Sequence, residues 1–344
     1  MSTGTVPPGF RNSRAVLFLA AVLLTRPLTA ADQRFTAERP VMGTLARITI
    51  YTESSSTAVR VFRAAFDLLD SLEAELSDYR PGSELNRLCR DAAAGPVVVS
   101  EDLYRVLEAS ATLAEETGGA FDVTAGPVSL LWREARRLGR VPDPAAIARA
   151  RRLTGYGKIT LDPATRSVRL ASAGMRLDLG GIAKGYAAGR ALASLRAADI
   201  ERAMVVIGGD IATGAPPPDK PFWRIRVAAA EKGNHTVIDV RDCGVSTSGD
   251  RSQHLDLDGK RLSHIFDART GAALSGAAAI TVVAPSATQA DGLATALSVI
   301  GPRRAAVLAR RHSGVIVLAT RPGKASEILL WRDLPNVRFV RSAH

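Results

Sequence analysis

The sequence predicts an α+β fold, a single unit of mixed β-sheets flanked by helices. Two-residue alternation and helical periodicity both recur along the chain, yet they do not take turns as regular βαβ units. No internal repeat is evident. The 344 residues, 46% hydrophobic and 23% charged, suit a packed core, and two Cys are too few for a disulfide scaffold.

Residues 1–31 read as an export signal. Arg11 and Arg14 precede an apolar run over 15–24, and small residues close the segment at Ala30-Ala31. An uncleaved anchor is the alternative reading, and no Cys follows the run to take a lipid. The folded unit is expected over 32–344. Residues 45–50 alternate as a half-buried strand. Ser54, Ser55 and Ser56 offer caps for a long amphipathic helix marked by Val59, Phe62, Phe66, Leu69, Leu72 and Leu76. A helix follows Ser100, turns Leu103, Val106, Leu107, Leu113 and Ala114 inward, and stops at Gly118-Gly119. Pro144 starts a short helix that ends near Gly155. Residues 158–161 and 167–170 form a hairpin, followed by a strand over 175–179, a Gly180-Gly181 turn and a helix over 182–196. Strands are expected at 203–207, 223–228, 236–240, 280–283 and 314–319, and helices at 288–300 and 303–311. The proline-rich stretch 215–220 reads as a surface loop.

The net charge of +11 does not make this a nucleic-acid binder. Its arginines are scattered, and aromatics, at 5%, do not interleave with a basic stripe. Cys89 and Cys243 lack neighbours at CxxC or HxxxH spacing, which argues against zinc; they read as free, partly buried thiols, with a bridge between them in an oxidising compartment as the alternative.

Five segments carry chemistry-bearing side chains. On a late helix, Asp291 and Thr295 are four residues apart and share a face, offering hard oxygen donors suited to Mg²⁺. The same pair also fits a dipole-favoured Asp and a Thr bonded to its own helix. At 177–187 an acid, Asp178, precedes two glycines and a helix start with Lys184 in its first turn. Such a turn can cradle a pyrophosphate on bare amides, and Lys184 there opposes the helix dipole. His264, near Asp267 and Arg269, can take a proton from a hydroxyl nucleophile near neutral pH, or can be structural. Segments 77–88 and 117–124 supply Tyr79 for stacking and polar groups for hydrogen bonds, or are simply a Pro-Gly turn with a helix capped by Ser83 and a helix stop.

Taken in order, Met42-Gly43-Thr44, 77–88, 118–124, 178–187, Gly208-Gly209-Asp210, Thr247-Ser248-Gly249, 264–271 and 290–297 resemble the ApbE family, the FAD:protein FMN transferases. The resemblance spans 40–300, nearly all of the chain past the signal. It implies an Mg²⁺-dependent reaction in which FAD is cleaved at its pyrophosphate, FMN is joined to a Thr or Ser hydroxyl of a target protein, and AMP leaves. Under the resemblance, Asp291 and Thr295 bind Mg²⁺ by side chain and Gly181 by its backbone oxygen. Asp178 and Lys184 contact FAD. Met42, Tyr79, Ala120, Phe121, Asp122 and the Ile265 backbone line the flavin and adenine slots, and His264 matches the family's proposed base. Acceptors are expected to be membrane redox subunits, and the site of action periplasmic or on the extracytoplasmic face of the inner membrane. Ala268 stands where the family often has Pro, and Ile207 where it often has Asn; neither is a proposed ligand. Two other readings suit the same residues: an FAD pyrophosphatase that yields FMN and AMP, and an exported FAD-binding or storage protein.

Overall fold

A computed structural model describes residues 32–227, 236–249, 254–257, 260–275, 279–320 and 327–340. The expected export signal, 1–31, lies outside them. Among the described residues no helix is long and apolar enough to cross a membrane.

The chain opens with a hairpin of β1 (Gln33–Val41) and β2 (Thr44–Thr52), turned at Met42 and Gly43 with φ of 53° and 71°. Next comes α1 (Ser55–Leu76), whose first turn is capped by the Ser54 hydroxyl accepting from the Thr57 amide. Its buried stripe is Ala58, Val61, Ala65, Phe66, Leu69, Leu72 and Leu76. Val59, expected inward, is 60% exposed, because the stripe runs through Ala58 and Val61 on either side of it. Then follow α2 (Glu84–Asp91) capped by Ser83, the two-residue β3 (Val97–Val98), α3 (Glu101–Glu116) capped by Ser100, α4 (Gly126–Leu138) and α5 (Pro144–Arg152). A hairpin of β4 (Ile159–Asp162) and β5 (Ser167–Leu170) comes next.

The strand expected over 175–179 is not part of a ladder. Met175, Leu177 and Leu179 alternate inward as predicted, but only Arg176 bridges another segment, at Ala125, and the Asp178 amide donates to the Val123 carbonyl at 2.8 Å. An extended buried segment gives the strand period without a strand partner. After it come α6 (Ala183–Arg196), β6 (Ala203–Ile207), β7 (Asp210–Thr213), β8 (Trp223–Val227) and β9 (Thr236–Val240). The rest comprises β10 (Cys243–Ser248), β11 (His254–Leu257), β12 (Lys260–Phe266), β13 (Ala273–Ser275), β14 (Ala279–Ala284), α7 (Ala287–Ile300), α8 (Pro302–Ala309), β15 (Ile316–Thr320), β16 (Glu327–Leu330) and β17 (Val337–Val340).

Eight strands form one sheet in the order β1-β2-β6-β7-β10-β14-β15-β16, and three smaller sheets are β11-β12-β13, β17-β9-β8 and β3-β5-β4. The α+β class is as predicted. The sheets themselves are antiparallel rather than mixed among the described residues, because even the α7–α8 connection returns β15 in the direction opposite to β14.

Strand alternation divides two cores across the large sheet. On β14, Ile280, Val282 and Ala284 face the helices while Val283 faces the other way; on β15, Val317 and Ala319 oppose Ile316 and Leu318. Helices α1, α6 and α7 cover the first face, and the β17-β9-β8 sheet covers the second with Trp223, Ile225 and Ile238. Cys89 and Cys243 are buried and unpaired, and burial pushes both thiols up, Cys243 to about 12.

Candidate active site

Several turns collect at one end of the large sheet. The Gly208 amide donates to the Leu45 carbonyl at 3.0 Å, and a Cβ on Gly208 would come within 3.2 Å of the Thr44 hydroxyl. That contact sets the Met42-Gly43 hairpin tip beside the Gly208-Gly209-Asp210 turn. Met42 walls a cavity of about 400 Å³ with Pro40, Thr44 and Glu73. At the same end Thr247 and Thr281 share a hydroxyl–hydroxyl hydrogen bond of 2.8 Å.

The centre is the meeting of α6 and α7. A Cβ on Gly185 would lie 2.3 Å from the Ala287 carbonyl oxygen and 2.6 Å from Asp291 Cβ. Only glycine permits this approach. It lets the Gly185 amide donate to Asp291 Oδ2 at 2.9 Å. One helical turn on, the Thr295 hydroxyl lies 3.4 Å from the Gly181 carbonyl oxygen and donates to it. The Gly180-Gly181 turn and the late helix therefore converge.

Lys184 crosses the gap between α6 and two carboxylates. Its Nζ is 2.9 Å from Asp210 Oδ2 and 3.8 Å from Asp291 Oδ2. Burial opposes its charge, but Asp291 and Asp210 outweigh that and hold the ammonium above the ordinary lysine value. Burial lifts the Asp291 carboxyl to about 7 and Asp210 adds to the lift, against Lys184 and the Gly185 amide. Asp210, only 3% exposed, also accepts from the Ser246 hydroxyl at 2.5 Å.

The Gly181 carbonyl, the Thr295 hydroxyl and the Asp291 carboxylate form an all-oxygen donor set, the chemistry that Mg²⁺ selects over softer metals. No cluster of three or more His, Cys, Asp or Glu able to hold a metal exists among the described residues. A cation here would draw its remaining ligands from phosphate and water, as Mg²⁺ commonly does.

Asp178 sits at the entry to the same turn. Its Oδ1 accepts from the Gly180 amide at 2.8 Å, and its Oδ2 accepts from Arg133 Nη2 at 2.8 Å and the Ser129 hydroxyl at 2.5 Å. The other arm of Arg133 pairs with Asp78, and the guanidinium stacks 4.1 Å from the centroid of the Tyr79 ring. Phe121 is buried with its ring edge 3.3 Å from where a Gly181 Cβ would be. Ala120 is buried beside it. Asp122 turns instead to its own loop, accepting from the Thr124 amide at 2.8 Å and hydroxyl at 2.6 Å. Burial raises its carboxyl despite those bonds.

His264 is half-buried and Ile265 buried on β12, a strand that lies against α7. The predicted residues thus fall into three groups. Thr295 meets Gly181 and, one turn away on the same helix, Asp291 meets Lys184. Tyr79, Asp178 and Phe121 border them. The rest lie on flanking elements: Met42 at the hairpin tip beside the Gly208 turn, His264 and Ile265 on a strand packed against α7, and Ala120 and Asp122 in the loop around Phe121. Two residues at the site were missed by sequence reasoning. Asp210 was noted only as part of a motif, with no role, since nothing local pairs it with Lys184. Arg133 was missed with its helix, although Pro127, Val128, Trp132, Ala135 and Gly139 mark α4 by start, spacing and stop.

The ApbE family profile matches residues 42–319. A Treponema pallidum protein named FAD:protein FMN transferase is 35% identical over 307 residues, covering 83% of each chain. A Haemophilus influenzae protein of the same name is 32% identical over 293 residues, 81% of this chain and 84% of its own. Among solved structures, the flavin transferase ApbE from Vibrio cholerae superposes with a TM-score of 0.77 at 30% identity, covering 86% of this chain and 96% of that one. The ApbE protein of Thermotoga maritima gives a TM-score of 0.78 at 30% identity, over 86% and 97% of the two chains. A profile that spans all the converging turns, with relatives matched over most of their length, makes this chain a member of the ApbE family.

Proposed function

We propose that this protein is an FAD:protein FMN transferase that moves the FMN half of FAD onto a Ser or Thr hydroxyl of an acceptor protein and releases AMP. The observation that carries the reading is the convergence of the Gly181 carbonyl, Thr295, Asp291 and Lys184 at the start of α6. Relatives named for this activity, matched over most of their length, support it.

Gly181, Asp291 and Thr295 would hold Mg²⁺. When bound, Mg²⁺ supplies positive charge to the pyrophosphate oxygens, which gain charge as the anhydride breaks. The chain itself contributes in three ways. Lys184, kept protonated by two carboxylates, offers a fixed cation to the diphosphate. The start of α6, just past Gly181, turns the positive end of its helix dipole toward the anion, while the Gly180 and Gly185 amides are held by Asp178 and Asp291. His264 receives the proton of the acceptor hydroxyl as that oxygen forms its bond to the FMN phosphorus; the anhydride P–O bond breaks and AMP carries away the electron pair.

The acceptor is proposed to be a membrane redox subunit met on the extracytoplasmic side, a placement that rests on the apolar run at 15–24. The test combines protein, FAD, Mg²⁺ and a candidate acceptor subunit. Flavin fluorescence that stays with the acceptor in a denaturing gel, with AMP in equal amount, is the expected result. AMP released equally fast without acceptor identifies a pyrophosphatase, and tight FAD binding with no product identifies a storage protein.

A further inference from the structure

We propose that Arg133 is a positioning residue for the dinucleotide: it fixes Tyr79 and Asp178 in one arrangement and leaves a single face of the Tyr79 ring open to a planar ring of the ligand. This rests on the reading of the site as an FAD site.

Arg133 projects from α4, an element that supplies none of the ligand residues expected from the sequence. Its two arms reach two different segments. One pairs with Asp78, at the end of the loop that carries Tyr79; the other donates to Asp178 Oδ2 at 2.8 Å, in the turn that leads into α6. All three side chains are less than one-fifth exposed. In contrast, Tyr79 is 71% exposed as a residue, unusual for a large aromatic, and the guanidinium stacked at 4.1 Å covers one side of its ring. A cavity of about 440 Å³ opens beside Asp78 and Tyr79, with Arg90 and Arg176 in its wall. Covering one ring face and leaving the rest exposed beside a cavity is the form of a stacking platform, and a rigid platform lowers the entropy lost on binding.

The charge arrangement points the same way. Without the guanidinium, Asp78 and Asp178 would confront one another as like charges in a half-dry setting, and at least one would turn away. Asp178 would then lose the orientation that also fixes the Gly180 amide. Planar, two-armed geometry is needed, so lysine replaces only the charge.

The experiment measures steady-state turnover and direct FAD binding, by quenching of flavin fluorescence, for wild type, Arg133→Met, Arg133→Lys, Tyr79→Ala and the double variant Arg133→Met/Tyr79→Ala. The expected result is a KM and Kd for FAD raised at least tenfold in Arg133→Met. At saturating FAD most of kcat is recovered, and Arg133→Lys recovers part of the affinity. In the Tyr79→Ala background the same substitution should cost at most threefold. A loss of active protein alone would lower kcat at unchanged KM, and that pattern overturns the proposal. So does an unchanged Kd in Arg133→Met, or a full tenfold loss in the Tyr79→Ala background. Failure of wild type to bind FAD would instead overturn the reading of the site on which this rests.

Discussion

Gly185 donates its amide to Asp291 Oδ2 across 2.9 Å, and the space between the two residues admits no Cβ. This contact sets the spacing of α6 and α7 and, with it, the position of the carboxylate relative to Lys184 and the Gly181 turn. Gly185→Ala should therefore cost stability by overpacking, about 1–3 kcal/mol, and should weaken the response to Mg²⁺ more than any distant substitution of equal cost. Urea denaturation with and without Mg²⁺ and FAD measures both. Wild-type stability in the alanine variant would contradict the account.

Lys184→Met removes the cation between two carboxylates that are each under 10% exposed. Breaking a fully buried pair costs about 3–5 kcal/mol, and the 29% exposure of the Lys184 side chain reduces that to roughly 1–3. The expected signature is a lower urea midpoint together with loss of FAD turnover. Lys184→Met with intact turnover would remove the lysine from the mechanism.

The pH dependence of stability reports on Asp78. Burial, with Asp178 nearby, lifts its carboxyl to about 6 from the ordinary value of 3.8, against the pull of Arg133. The folded state then holds more protons than the unfolded state between those values. Its contribution is complete below 3.8 and is lost as pH rises through about 6. Asn at this position does not titrate. The melting temperature of wild type minus that of Asp78→Asn should therefore fall between pH 4 and pH 7; a rise over that interval refutes the assigned direction.

His264→Ala should bind FAD as wild type does and lose transfer by two or more orders of magnitude, the usual worth of a positioned base. Fluorescence quenching gives the first quantity and in-gel flavin the second. Retained transfer would exclude His264 as the proton acceptor.

Much of this site was legible because its parts obey local rules. Asp291 and Thr295 share a helix face at four-residue spacing, and the Gly180-Gly181 turn announces a helix start. The caps Ser54 and Ser83 lie where predicted, and the helix expected after Ser100 begins there. What stayed hidden is long-range. The Lys184–Asp210 pair joins residues from different layers and leaves no periodic trace. The β1 strand escaped notice because Arg39 interrupts the inward row of Phe35, Ala37 and Val41 at the sheet edge. The segment 175–179 has the period of a strand but pairs through a single bridge, Arg176 to Ala125, rather than a ladder, a fact that only the fold decides.

The sharpest test is the Mg²⁺ dependence of FAD affinity in wild type and Asp291→Asn. If the oxygen ligands on α7 and the glycine turn grip the diphosphate through the cation, millimolar Mg²⁺ tightens FAD binding at least tenfold, about 1.4 kcal/mol, in wild type and leaves the Asn variant nearly unchanged. Equal tightening in both proteins, or none in wild type, would contradict it.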